Sequence, residues 1–304
     1  MLIGVTGATG FLGRYIVRRL VADGHSCRCW YREQSDRSGF EGIDQHITWS
    51  VGRLGDPALC YQFAEGCDAI VHAALSRPGR GFRDQEGQLT NFVRENVLGS
   101  IELFEESRAA GVQRIIVIST CAVHEKILDD RPLDEAHPVW PLTHYGASKA
   151  ALEAFVCSYG RGHGYNMCAV RPCGIYGLAH PAEDSKWYAL IRDIVAGRPV
   201  DVRGGGKEVH AADVAQAVSR LLQASNVAGE VFNCCDGYVS QLQVAELARE
   251  LSGSDSVIQG QAGQPKHQIE TAKLRALGFQ FGGTELLRQT VRQLIDQIRQ
   301  EGTA

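Results

Sequence analysis

Val5-Thr6-Gly7-Ala8-Thr9-Gly10-Phe11-Leu12-Gly13 closes a short apolar run, Leu2–Thr6, and opens a segment where Phe11, Leu12, Tyr15, Ile16, Val17, Leu20 and Val21 recur at helical spacing. The order is strand, glycine turn, amphipathic helix. Glycines at 7, 10 and 13 suit three tasks: a tight turn, close approach of backbone to a pyrophosphate, and packing of helix on strand. The helix start then offers free N–H groups and the positive end of its dipole to phosphate. Gly7, Thr9, Gly10, Phe11, Leu12 and Gly13 are therefore the candidate contacts for a dinucleotide.

Outward from this loop, Cys27–Tyr31, Ala69–Ala73, Arg114–Ser119 and Met167–Val170 read as further buried strands. Phe92–Ala110 and Tyr145–Tyr159 read as helices, with Gly111 as a stop signal. Alternation of this kind predicts an α/β fold, a doubly wound parallel sheet with helices on both faces. The later chain changes character. Helices are expected at Lys186–Ala196, Ala211–Leu222 and Leu242–Leu251, with a short strand at Glu230–Asn233 and a polar stretch at Ser254–His267. A last helix places Leu286, Leu287, Val291, Leu294, Ile295 and Ile298 on one stripe. The expected organisation is a dinucleotide-binding part at 1–175, to which 207–235 returns. A smaller, interleaved C-terminal part at 176–206 and 236–304 would bind substrate.

Composition narrows the function classes. A chain of 304 residues and 33.2 kDa makes one or two domains and buries a large core without staples. Its net charge of −4, from 31 basic and 35 acidic residues, gives no global pull toward nucleic acid or an anionic membrane. The longest stretch free of Asp, Glu, Lys and Arg, Ala136–Ser148, is interrupted by prolines and too short for the ~20 apolar residues of a spanning helix. The N-terminus lacks a basic n-region and reads as the first strand of the fold. Ten cysteines with no CxxC pair are expected to be reduced and mostly buried, which points to the cytoplasm. The ten histidines are scattered, so no metal site is expected.

Tyr145-Gly146-Ala147-Ser148-Lys149 carries the chemistry. A spacing of four puts both side chains on one helix face. A free phenol titrates near ~10, too high for efficient proton exchange at neutral pH, and a neighbouring ammonium favours the phenolate. So tuned, Tyr145 can exchange the proton of a substrate C–O group. Other segments give this pair a context. They are Val117-Ile118-Ser119-Thr120-Cys121-Ala122-Val123, Val71-His72-Ala73-Ala74, Asn96-Val97-Leu98-Gly99, Arg171-Pro172-Cys173-Gly174-Ile175-Tyr176-Gly177 and Val209-His210-Ala211-Ala212-Asp213-Val214-Ala215. Together with the GxxGxxG loop they resemble the extended short-chain dehydrogenases/reductases, the NAD(P)-dependent epimerase/dehydratase family. The resemblance covers most of the chain, densely through about Gly177.

The resemblance implies a Rossmann-type domain and hydride transfer between a nicotinamide and a C–OH/C=O centre. It makes Tyr145 the acid/base and Lys149 its tuner and a ribose ligand, with Thr120 rather than Ser119 as the substrate-facing hydroxyl. It places Ala73 beside the cofactor ribose, Asn96 near the nicotinamide side and Pro172 over the nicotinamide. His72, His210 and Asp213 are read as structural, and His124 and Glu125 as facing either substrate or solvent. Gly52-Arg53-Leu54-Gly55-Asp56 resembles the adenine-contacting segment, with Leu54 as a contact and Arg53 where the family has an aspartate. The second strand ends in Arg32, whose guanidinium suits the 2′-phosphate of NADP. Glu33 follows and can serve a ribose, which keeps NAD open.

The resemblance also bears on substrate. Nucleotide-sugar members usually carry an asparagine where this chain has Gly174 and an arginine before the later segment, where it has Gly204-Gly205-Gly206-Lys207-Glu208. A buried diphosphate needs charged or amide partners. A smaller carbonyl or hydroxyl substrate therefore ranks above a nucleotide sugar, and a nucleotide-sugar epimerase or dehydratase stands second. A dinucleotide-sensing regulator without chemistry is the alternative of another class; it would not need both Tyr145 and Lys149. Ser76–Arg83, with three arginines among glycines, is a candidate lid or a solvated loop. A homodimer through Phe92–Ala110 and Tyr145–Tyr159 is the implied assembly.

Overall fold

In a computed structural model, residues 1–77 and 87–301 are described. The strands are β1 (Leu2–Thr6), β2 (Ser26–Tyr31), β3 (Ile47–Val51), β4 (Ala69–His72), β5 (Arg114–Ile118), β6 (Met167–Pro172), β7 (Gly174–Tyr176), β8 (Val200–His210), β9 (Val231–Cys234), β10 (Gly237–Ser240) and β11 (Ile258–Ala262). The helices are α1 (Phe11–Ala22), α2 (Pro57–Ala64), α3 (Leu89–Val93), α4 (Gly99–Ala109), α5 (His144–Cys157), α6 (Tyr188–Val195), α7 (Ala211–Gln223), α8 (Gln241–Ser252), α9 (Ala272–Arg275) and α10 (Gly283–Glu301). None of the described helices is long and apolar enough to cross a membrane.

The chain divides into two compact units. The first comprises Met1–Pro172, Val214–Cys234 and Glu270–Phe279. Its seven strands run in the order β3-β2-β1-β4-β5-β6-β9, every pair parallel. The central strands are largely apolar because both faces are covered, as parallel sheets require. Ile3, Val5, Ile70, Val71, Ile115, Ile116 and Val117 are fully buried, and α1 adds Ile16, Val17 and Leu20. Strand order reverses between β1 and β4, so the crevice beyond their carboxyl ends is where such a sheet binds ligands. This is the doubly wound sheet expected from the strand–helix alternation.

The second unit comprises Cys173–Asp213, Cys235–Ile269 and Gln280–Ala304. Its sheet is organised by β8, which pairs in parallel with β11 and β7 and antiparallel with β10. Tyr176, Ile191, Ile194, Val244, Leu287, Val291, Leu294 and Ile295 form its core. The boundaries expected from sequence shift: residues 173–175 and 235 lie in the second unit, and two further segments move. Residues 207–213 stay in the second unit, because β8 runs unbroken to His210. Residues 270–279 join the first, where the Glu270 amide donates to the Leu133 carbonyl at 2.9 Å and the Lys273 ammonium to Val231 at 2.8 Å.

Candidate active site

The glycine loop is built as a cradle. Gly7 sits at φ 69°, in the left-handed region, and a Cβ there would lie 2.8 Å from the Ala73 backbone. A Cβ on Gly13 would fall 2.0 Å from the Gly7 carbonyl oxygen, so helix and turn meet only because position 13 has no side chain. The Gly10 amide closes the turn on the Gly7 carbonyl at 3.0 Å. No side chain caps the start of α1, whose first amides stay available to an anion. Thr9, Phe11 and Leu12 stand half-buried around the loop. These observations fit a dinucleotide phosphate.

Behind the loop, Thr6 and His72 lock β1 to β4. The Thr6 hydroxyl accepts from the Ala73 and Ala74 amides at 3.2 and 3.1 Å and pairs with His72 Nδ1 at 2.8 Å. Ser100 donates to the Asn96 carbonyl, so its oxygen accepts from His72 Nε2 at 2.9 Å. His72 therefore carries its proton on Nε2 and accepts at Nδ1. Burial, helped by the Lys149 charge, pushes it down to about 3 and keeps it neutral. It packs and orients; it is not a base.

Asn96 lies in a π-helical turn, Arg94–Leu98, between α3 and α4. Its amide accepts from Ser76 N at 2.7 Å and donates to Ser76 O at 2.8 Å and Phe92 O at 3.0 Å. Asn96 thus pins the segment that leaves β4. Leu54 is half-buried against Gly99. Asp56 caps α2 by accepting from the Leu59 amide at 3.2 Å. Arg32 is exposed at the end of β2. Pro172 closes β6 beside Cys234 of β9. Most of the candidate lid, residues 78–83, lies outside the described residues.

Thr120 and Tyr145 meet at the carboxyl end of β5. Thr120 caps the short turn Cys121–Val123, accepting from the Ala122 amide at 3.2 Å. Helix α5 packs onto that turn so closely that a Cβ on Gly146 would lie 2.6 Å from the Ala122 carbonyl oxygen. Its start is fixed by Thr143, which accepts from the Gly146 amide at 3.1 Å and donates to Glu125 at 3.1 Å. Tyr145, in the first turn, is thereby hydrogen-bonded to the Thr120 side chain. Burial raises the Tyr145 phenol above its ordinary value, while the Thr120 bond and the Arg77 guanidinium pull it down. Lys149, one turn on and buried, donates from Nζ to the Ile118 carbonyl at 2.8 Å. Burial pushes its ammonium down to about 8, against the pull of Glu153. Arg77 is a cation that draws the phenol down, and the Lys149 ammonium is bonded to the strand end at Ile118.

Beneath this pair lies a network that sequence reasoning missed. Arg171 grips Glu153 through two bonds of 2.8 and 2.6 Å, and Ser119 donates to the same carboxylate. Arg171 also donates to His124 Nε2 at 3.0 Å, and His124 reaches Pro138 O at 3.2 Å. All four side chains are buried. Ser119 and His124 are thus interior scaffold, and Glu125 braces the start of α5. The available signal was the charge of Arg171 inside the buried strand β6 and of Glu153 four residues after Lys149 on α5.

Comparisons with known proteins agree with this geometry. The family described as "NAD dependent epimerase/dehydratase family" matches residues 3–235. A 4-hydroxy-2-methyl-3-oxo-4-farnesyl-3,4-dihydroquinoline-1-oxide ketoreductase from Stigmatella aurantiaca is 31% identical over 249 residues, 79% of this chain and 69% of that protein. A trifunctional UDP-glucose 4,6-dehydratase/epimerase/reductase from Arabidopsis thaliana is 26% identical over 91% of this chain, which spans 44% of that longer protein. A UDP-glucose 4-epimerase from Thermotoga maritima superimposes with a TM-score of 0.80 at 20% identity, covering 99% of each chain, and so shares the fold. The family match takes in both the glycine loop and the Tyr145 helix, and the chain is therefore an enzyme of the NAD dependent epimerase/dehydratase family.

Proposed function

We propose that this enzyme is an NADPH-preferring oxidoreductase that interconverts a carbonyl and an alcohol on a small substrate. The observation that carries this is the Thr120–Tyr145 hydrogen bond at the carboxyl end of β5, the sheet edge that also bears the glycine cradle. Gly7, Thr9, Gly10, Phe11, Leu12 and Gly13 would hold the cofactor phosphates, Leu54 the adenine, Ala73, Tyr145 and Lys149 the ribose side, and Asn96 and Pro172 the nicotinamide side. When bound, the nicotinamide supplies or accepts the hydride. Thr120 orients the substrate oxygen by a hydrogen bond, and Tyr145 gives that oxygen a proton or takes one from it. Lys149 stands one turn along the same face, its buried charge within the field of His72, and fixes the strand end through Ile118. The quinoline-oxide ketoreductase among its relatives performs a ketone reduction by name.

NADPH preference rests on Arg32, exposed where β2 ends, with no carboxylate at the aligned position. NADPH should bind more tightly than NADH in a cofactor-fluorescence titration. Arg32→Ala should cost NADPH about tenfold or more, the range of a lost charge-assisted bond, and leave NADH unchanged. Equal affinities would make the enzyme NAD-dependent. For the chemistry, Tyr145→Phe should retain NADPH binding and lose turnover across a ketone panel; retained turnover refutes the assignment.

A nucleotide-sugar epimerase or dehydratase is the second reading, favoured by the UDP-glucose enzymes among the relatives. Micromolar binding of UDP, competed by a nucleotide sugar, would establish it. A homodimer through α3, α4 and α5 belongs to the same proposal: Leu89, Val93, Leu98 and Phe155 are exposed apolar side chains there. A reducing compartment such as the cytoplasm belongs to the same proposal, supported by ten free thiols, seven of them buried.

A further inference from the structure

Three consecutive residues at the exit of β5 are each tied to α5. Thr120 is hydrogen-bonded to Tyr145, the Ile118 carbonyl accepts from Lys149 Nζ at 2.8 Å, and Ser119 donates to Glu153. Positions 145, 149 and 153 recur every four residues and so lie along one helix face. Tyr145 and Lys149 belong to the candidate chemistry, whereas Glu153 has no part in it so far. Glu153 is 5% exposed, as Lys149 is. Its carboxylate accepts from Arg171 through two bonds of 2.8 and 2.6 Å. All of these groups lie in the first unit.

A buried ion pair adds little stability over apolar side chains of the same volume, so its place beneath the site calls for a further role. The carboxylate is held by Arg171 and Ser119, and it acts on Lys149 through an interior that screens charge weakly. We propose that Glu153 is a positioning residue: its carboxylate keeps the Lys149 ammonium charged and, through Ser119, steadies the strand end to which that ammonium is bonded. The inference rests on the reading of the enzyme as a nicotinamide-dependent oxidoreductase with Lys149 on the ribose side. An ammonium has three donors, of which Ile118 takes one, and its charge attracts an anionic cofactor. Burial pushes Lys149 down to about 8 against the pull of Glu153, so without that carboxylate it would lose its proton at a lower pH. The other groups facing this stripe come from four segments. His72 of β4 is neutral, Arg171 of β6 is bonded to neutral His124, and Arg77 and Cys121 face Tyr145.

The test is the pH dependence of NADPH affinity, read by cofactor fluorescence, which needs no substrate. In wild type the affinity should fall as pH rises through the Lys149 value, and Lys149→Met should abolish that break. Glu153→Gln should move the break down by about one pH unit, the lower end of what an adjacent charge does. Glu153→Asp, which restores the charge, should return at least about half of that displacement. The double variant Glu153→Gln/Arg171→Met leaves no stranded guanidinium and should move the break in the same direction, so the outcome does not depend on whether Glu153→Gln alone folds. A role in the fold alone would weaken binding equally at every pH. The proposal is overturned by a wild type without a break, or by a break that survives Lys149→Met. It is equally overturned by a break that stays in place without the carboxylate, or one that Glu153→Asp fails to restore. Failure of wild type to bind NADPH at any pH, or turnover surviving in Tyr145→Phe, would instead defeat the oxidoreductase reading, so the two failures are distinguishable.

Discussion

On the proposed reading, the chemistry rests on the hydroxyls of Thr120 and Tyr145, positioned by the cap at the Cys121 turn and the cap of α5. Thr120→Ala should leave cofactor affinity unchanged and lower kcat by about 10²-fold or more, the scale for a lost donor at a developing oxyanion, and Thr120→Ser should restore most of it. Steady-state kinetics with an NADPH titration checks both. Arg77 pulls the Tyr145 phenol down, so Arg77→Ala should move the basic limb of the pH–rate profile upward; an unmoved limb would detach Arg77 from the reaction. Tyr145, Lys149 and Thr120 stood out in the sequence as candidates because the proposed chemistry fixes their spacing along one helix and one strand end. Arg77, whose charge acts on the phenol, did not. Arg77 lies 68 positions away, as the numbering shows, and only the turn held by Asn96 sets where that segment goes. His124 and Glu125 were ambiguous for a similar reason, since their partners Arg171 and Leu142 come from other elements.

Among the elements, α5 carries two of the three candidate catalytic residues and is tied down at three depths. Thr143 and Glu125 fix its start, Gly146 its approach to the Cys121 turn, and Glu153 its inner face. Glu153→Leu would strand the Arg171 guanidinium in the interior, and removing one partner of a buried pair costs on the order of 3–5 kcal/mol. Urea unfolding should show that loss, whereas changing Glu250, in an exposed pair with Arg288, should leave the midpoint close to that of wild type. A Glu153→Leu protein as stable as wild type would mean the network is dispensable. The strands β1, β4 and β5 were readable because their mostly apolar runs signal a sheet covered on both faces, and β2 and β6 because each follows a turn or helix at the expected interval. In contrast, β8 carries Arg203, Gly204, Gly205, Gly206 and Lys207, and its pairing is set by three partner strands rather than by its own pattern. The helix expected over Phe92–Ala110 is broken by the π turn at Arg94–Leu98, which periodicity alone does not register.

For the whole molecule, buried imidazoles set the acid limit. His124 and His210 are pushed down to about 4 and His72 to about 3, mainly by burial. An unfolded chain protonates them below about 6.5, which the fold resists, so their contribution to stability falls as pH drops from about 6.5 toward 4. Asp213 has the opposite sign. Burial raises it to about 6, so the fold gains protons before the unfolded chain does, and that contribution falls as pH rises from 3.8 to about 6. Glu208, also raised by burial, acts with Asp213, but the large downward shifts of the three imidazoles outweigh them and predict a net loss on acidification. Urea midpoints at pH 7 and pH 5 should show it, and His124→Gln should flatten the slope; a flat profile in wild type would contradict the assignment. The interleaving of the two units also has a consequence for synthesis. Nascent chain leaves the ribosome in order, yet the first unit needs Val214–Cys234 and Glu270–Phe279. Until those segments emerge, β6 presents an unpaired edge, and the cofactor-binding half must wait, sticky and incomplete, for residues encoded more than a hundred codons after its glycine loop. A product stopped at residue 235 lacks the 270–279 segment and should be found with chaperones or in the insoluble fraction, while the full chain is recovered soluble.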